Sequence, residues 1–172
     1  NSINKSLFLI PKIDYEKEIK KSLKLSKFKS SKIFSYDTEP TELTKQIENV
    51  TNYKIRKQNL TDEINRLEKS DDPNKEKKIK NLEKRYTIGN VKYDSFIIAD
   101  FDESLKSVAT SLLYTDISPK KKYFVTLNQW FDESIIREES LQPIYYPSID
   151  KENFDKFRER FLSKYNFLPN HL

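Results

Sequence analysis

A chain of 172 residues with 35% apolar and 13% aromatic content can bury the core of one ordinary domain. Its 32 basic and 27 acidic residues leave a net charge of +5, but only six of the basic residues are Arg and the two signs interleave, which reads as solvated surface and not as a nucleic-acid patch. The lack of Cys excludes disulfides, thiolate nucleophiles and Cys-ligated metals, and a lone glycine, Gly89, excludes the Walker and dinucleotide loops, which need several.

The first apolar run, residues 6–10, closes at Pro11 and predicts a buried strand. Residues 15–25 follow as a helix with Ile19 and Leu23 four apart. Residues 32–36 predict a second strand, and Asp37-Thr38-Glu39-Pro40 is a helix start, with a capping side chain, an acid and a proline in the first turn. Leu43, Ile47 and Val50 carry that helix's apolar face. Residues 53–86 then change character. Leu60, Ile64 and Leu67 form one stripe and Ile79, Leu82 and Tyr86 another, separated by a turn at residues 70–74, with charge elsewhere. This predicts a helical hairpin inserted between sheet strands, either a solvated hairpin packed on its own domain or a partner-binding arm.

Residues 94–100 carry the clearest strand pattern, a continuous apolar centre with polar ends, and Leu105, Val108, Ala109 and Leu112 mark the next helix. Ser118-Pro119 turns the chain into a strand over residues 123–127, which runs into Asn128-Gln129-Trp130-Phe131-Asp132. A short strand before Pro147 and an aromatic ladder of Phe154, Phe157, Phe161 and Tyr165 complete the pattern. The ladder's spacings of three, four and four predict a helix packed on the core and ended by Pro169. Strands alternating with helices are the grammar of a parallel α/β sheet, here with five strands and one helical insertion.

In such a sheet, ligands bind outside the carboxyl ends of the strands. Those ends carry Lys12, Asp14 and Tyr15; Asp37; Asp100 and Asp102; Asn128, Gln129 and Trp130; and Tyr146. The set is rich in hydrogen-bonding groups and aromatic platforms but poor in catalytic pairs. The one histidine, His171, reads as a tail residue, and no Ser or Thr has a recognisable base partner. Asp100, Asp102 and Glu103 allow Mg²⁺, but the commoner use of acids there is a cap by Asp102 and a dipole interaction by Glu103. Trp130 fits stacking on a ligand and covering the core's edge equally well. No apolar run, residues 96–99 included, is long enough to span a bilayer, and a chain that starts at Asn1 without any Met reads as an excerpt or a processed product.

Residues 93–100 (Tyr-Asp-Ser-Phe-Ile-Ile-Ala-Asp), the Trp130-x-Asp132 pair, Pro147, and Phe154, Phe161, Tyr165 and Pro169 in that order resemble the type I periplasmic-binding-protein fold. Within it the chain is most similar to the bacterial penicillin-binding-protein activators, a lipoprotein family, and more distantly to Leu/Ile/Val-binding receptors. The resemblance implies one Rossmann-like three-layer lobe over residues 1–172, with a mostly parallel five-stranded sheet, the hairpin of residues 53–86 as an insertion, and the family's other lobe outside this chain. It implies a non-enzymatic regulatory module without cofactor or metal, which stimulates peptidoglycan synthesis by contact with a class A penicillin-binding protein. The alternative it offers is a receptor for an amino acid or related solute, serving an importer. Ligand contacts would come from Tyr15, Asp100, Gln129 and Trp130. The implied location is the periplasm, with outer-membrane attachment only through a lipid anchor beyond this chain, and no nucleic-acid partner. One departure bears on ligands: Glu16 follows Tyr15 where the family often has Gly.

Overall fold

The computed structural model describes residues 5–26, 32–127, 133–147 and 150–169. It is a Rossmann-like three-layer α/β lobe built on a five-stranded, all-parallel sheet in the order β2-β1-β3-β4-β5. The strands are β1 (Ser6–Pro11), β2 (Lys32–Tyr36), β3 (Ser95–Ile98), β4 (Tyr123–Thr126) and β5 (Ile144–Tyr145). The helices are α1 (Glu16–Leu25), α2 (Pro40–Val50), α3 (Tyr53–Glu68), α4 (Lys75–Leu82), α5 (Asp102–Tyr114), α6 (Glu133–Ile136) and α7 (Lys151–Tyr165).

Because parallel crossovers are right-handed, stepping from β1 out to β2 and back past β1 to β3 puts α1 on one face and α2 on the other. Accordingly α2 packs beside α5. Covering both faces explains why β1 and β3 are apolar runs and not alternating ones: Leu9 and Ile10, adjacent in sequence, are both buried. Leu105, Val108, Ala109 and Leu112 of α5 and Leu43 and Ile47 of α2 close over Leu7, Leu9, Phe96, Ile98 and Phe124. Each large apolar side chain so buried stabilises the fold by about 1.5–3 kcal/mol. Phe96 and Phe124 meet edge to face on neighbouring strands, with ring centroids 5.9 Å apart.

Local chemistry sets the ends of the helices. Glu39 caps α2 by accepting a hydrogen bond from the Glu42 N–H at 2.7 Å, with Pro40 in the first turn, as the sequence motif requires. The cap expected from Asp102 on α5 is absent. Phe101 is the N-cap and its side chain makes no capping bond, while Asp102 has a left-handed backbone (φ 48°), a conformation that a short polar side chain tolerates. Glu103 turns to Lys106 at 2.6 Å. The end of α7 also differs from expectation: it stops at Tyr165, where Asn166 turns left-handed (φ 60°), before Pro169 is reached.

The inserted hairpin is present as α3 and α4, joined by a turn in which Asp72 accepts from the Asn74 N–H and pairs with Lys78. Its seam is narrow. Leu67 is buried, Leu60, Ile64, Ile79 and Leu82 are half-buried, and Tyr86 of the second stripe is exposed.

The aromatic ladder is the main correction. The expectation that Phe154, Phe157, Phe161 and Tyr165 form core does not hold, because none of the described side chains of α7 is buried. Phe157 is 44% and Tyr165 48% exposed, with Leu162, Phe167 and Leu168 similarly open. The rings pack on one another, with centroids 6.2, 5.7 and 4.6 Å apart along the ladder, and Phe167 closes edge-on against Phe161. Phe157→Ala is therefore expected to lower the stability of this chain by less than about 1 kcal/mol in urea denaturation, against about 3–5 kcal/mol for truncating a buried ring.

Candidate functional site

The chain leaves β1 towards β2 on one side and returns to β3 on the other, so the sheet's switch point lies between the carboxyl ends of β1 and β3. Tyr15, at the start of α1, and Asp100, just past β3, converge there. The Tyr15 hydroxyl donates to Asp100 Oδ1 at 3.5 Å and to the Ala99 carbonyl at 3.4 Å, both long contacts. The strong bond comes from a third residue. Tyr36, the last residue of β2, donates its hydroxyl to Asp100 Oδ2 at 2.5 Å. Asp100 also accepts the Phe101 N–H at 2.9 Å, and the Thr126 hydroxyl donates to the Asp100 carbonyl at 3.5 Å.

This cluster is set in the protein interior. Asp100 is 4% and Tyr36 1% exposed, whereas Tyr15 is half-buried at the rim. Burial raises the Asp100 carboxyl above its ordinary range, and the bonds from Tyr36, the Phe101 N–H and Tyr15 only partly oppose it. Burial, followed by the Asp100 charge, pushes Tyr15 up to about 12, and the same two causes drive Tyr36 higher still. Both phenols are thus fixed as protonated donors across the physiological range. The carboxylate they hold is committed on both oxygens.

A pocket of about 110 Å³ opens beside Asp100, lined by Tyr36, Thr38, Glu103, Ser104 and Ser107 among others. It is rich in hydroxyls but falls short of the about 300 Å³ at which ordinary small-molecule sites begin. Among the described residues no group of three or more His, Cys, Asp or Glu could hold a metal ion.

Of the four residues expected to contact a ligand, the structure brings Tyr15 and Asp100 together, while Gln129 and Trp130 lie outside the described residues. His171 lies outside them as well. Sequence reasoning took Asp37 as the polar group ending β2 and missed Tyr36. The available signal was an aromatic hydroxyl at the last strand position, which must find a partner once buried.

A second polar cluster went unrecognised because its members are far apart in sequence. Arg56 on α3 is 4% exposed, and its guanidinium donates to the Thr51 carbonyl at 3.1 Å, the Thr87 hydroxyl at 3.0 Å and the Thr115 carbonyl at 2.6 Å. The Thr87 hydroxyl in turn donates a hydrogen bond to Asp116 Oδ2 at 2.7 Å. Burial lowers the Arg56 pKa, and Asp116 opposes the shift. The Ile88 N–H returns to the Arg56 carbonyl at 3.0 Å, so both ends of the hairpin are tied to the end of α5. No protein-family model, curated protein or solved structure matches this chain.

Proposed function

We propose that this lobe is a non-catalytic recognition module of the penicillin-binding-protein activator type, acting in the periplasm by contact with a class A penicillin-binding protein. The observation that carries the reading is the state of Asp100. Its carboxyl is buried and held by Tyr36 and the Phe101 N–H, with Tyr15 in longer contact, a fixed arrangement that braces the carboxyl ends of β1, β2 and β3 against one another. The open aromatic face of α7 supports the same reading, because clustered exposed rings on a polar protein suit a protein interface. Tethering to the outer membrane would come from a lipid anchor beyond this chain; among the described residues no helix is long and apolar enough to cross a membrane.

The test is a pull-down and glycan-polymerisation assay pairing the full-length protein with its class A synthase. Retention and a faster synthase are expected, both reduced by Phe157→Ser/Tyr165→Ser. An unretained synthase whose rate is unchanged would overturn the proposal. The hydroxyl-lined pocket beside Asp100 favours one alternative, a solute receptor. That reading expects an amino acid to raise the melting temperature of the full-length protein, and a flat screen would remove it.

A further inference from the structure

The amino-terminal side of the sheet carries a larger cleft, remote from Asp100. It holds about 550 Å³, inside the usual range for small-molecule sites, between the loop of residues 84–91 and the turn of residues 116–122. Arg56, Lys84, Arg85, Lys121 and Lys122 line it against one acid, Asp116. Five cations against one carboxylate is not the mixed surface found elsewhere on this chain. Asp116 is already engaged by Thr87, and Lys122 reaches Asp94 only at 3.9 Å. Among the described residues Lys84, Arg85 and Lys121 form no ion pair.

Ordinary lysine-rich surface is convex and hydrated, and two observations separate this cleft from it. Arg56 carries its charge into the buried wall, where the three groups it bonds are neutral oxygens. Beside Arg56 the loop bends at Gly89 (φ 115°), and among the described residues the N–H groups of Gly89, Asn90 and Val91 donate to no protein acceptor. Consecutive backbone N–H groups beside guanidinium and ammonium groups in a concave site focus positive potential on whatever enters. Tyr86, 75% exposed, stands in the same lining and offers a flat apolar face.

We infer that this cleft binds a compact polyphosphate-bearing anion. Arg56 and the bend at residues 89–91 would receive the deeper phosphate, and Lys84, Arg85 and Lys121 the outer charge. The chemistry is shared by free polyphosphate, a small phosphate ester and a nucleic-acid backbone, but a cleft of this volume suits the small ligands.

Calorimetric titration of the whole chain with sodium tripolyphosphate at low ionic strength tests it. Saturable binding is expected, weakened at least about tenfold by Lys84→Gln/Arg85→Gln/Lys121→Gln, since three exposed charges are removed without touching the core. The control Lys57→Gln/Lys77→Gln/Lys80→Gln removes the same charge from the hairpin's exposed face and should change affinity by less than about twofold, because distant surface charges are screened. No binding at millimolar tripolyphosphate, or equal losses in both variants, would overturn the inference. So would a single-stranded oligonucleotide that binds more tightly than tripolyphosphate.

Discussion

Arg56→Ala is expected to destabilise the protein by about 3 kcal/mol, through loss of three hydrogen bonds from a charged donor and exposure of the groups they satisfied. The Thr51 and Thr115 carbonyls lie at the ends of α2 and α5, where helix carbonyls need partners from outside the helix, and the positive charge also suits the negative end of the α5 dipole. Arg56→Lys keeps the charge but replaces a planar fork with one ammonium, which cannot meet three acceptors in three directions, so it should recover less than half of the loss. Lys57→Ala, on the exposed neighbour, should stay within about 0.5 kcal/mol. Urea denaturation reads all three. The cost should also be local: amide exchange in residues 53–88 should quicken more than in β1 and β3, because Arg56 fastens the hairpin and not the sheet. A loss below about 1 kcal/mol would mean that water replaces the guanidinium without penalty.

The second large effect concerns Asp100 and carries a sign. Burial raises the folded-state pKa of this carboxyl, so the folded protein holds the proton more tightly than the unfolded chain does. Its contribution to stability is therefore fully present below the unfolded value of about 4, and is lost as pH rises through the raised folded value. Asp100→Asn does not titrate, and its amide can still accept from the Phe101 N–H while donating to the Tyr36 oxygen. The stability of the wild type relative to this variant should accordingly fall between acid and neutral pH; a difference that rises instead would show that the two phenols outweigh burial. Tyr36→Phe works on the same balance. Losing the donor that favours the ionised form should cost about 2 kcal/mol at neutral pH, where the carboxylate is left short of a charge-assisted bond, and should raise the Asp100 pKa further.

The parallel sheet was legible because burial on both faces forces continuous apolar runs, and residues 6–10 and 94–100 have no other economical reading. Tyr15 and Asp100 were legible as two of the polar residues at strand carboxyl ends, but the strand order that makes β1 and β3 the switch point is a property of the fold. What remained hidden has one physical cause in three forms. Tyr36 is significant only because Asp100 arrives 64 residues later to accept its hydrogen bond. Arg56 looks like any other charge on α3 until Thr87 and Thr115 are brought round it. The spacing of Phe154, Phe157, Phe161 and Tyr165 does define one helix face, but periodicity says which residues lie together and not what covers them. In each case the partner is set by the path of the chain and not by its neighbours.

The position of β1 has a consequence for how the molecule is made. As an inner strand it is flanked by β2, close in sequence, and by β3, whose Ser95 hydroxyl donates to that of Ser6 at 2.7 Å across 89 residues. Until β3 has left the ribosome, the inner edge of β1 is an open, strongly apolar template. The hairpin is translated inside that interval, and so lengthens the wait for the contact that closes the sheet. Such long-range parallel pairing folds slowly, so nascent chains halted before residue 95 should be the aggregation-prone species, and later truncations that retain β3 should be less so.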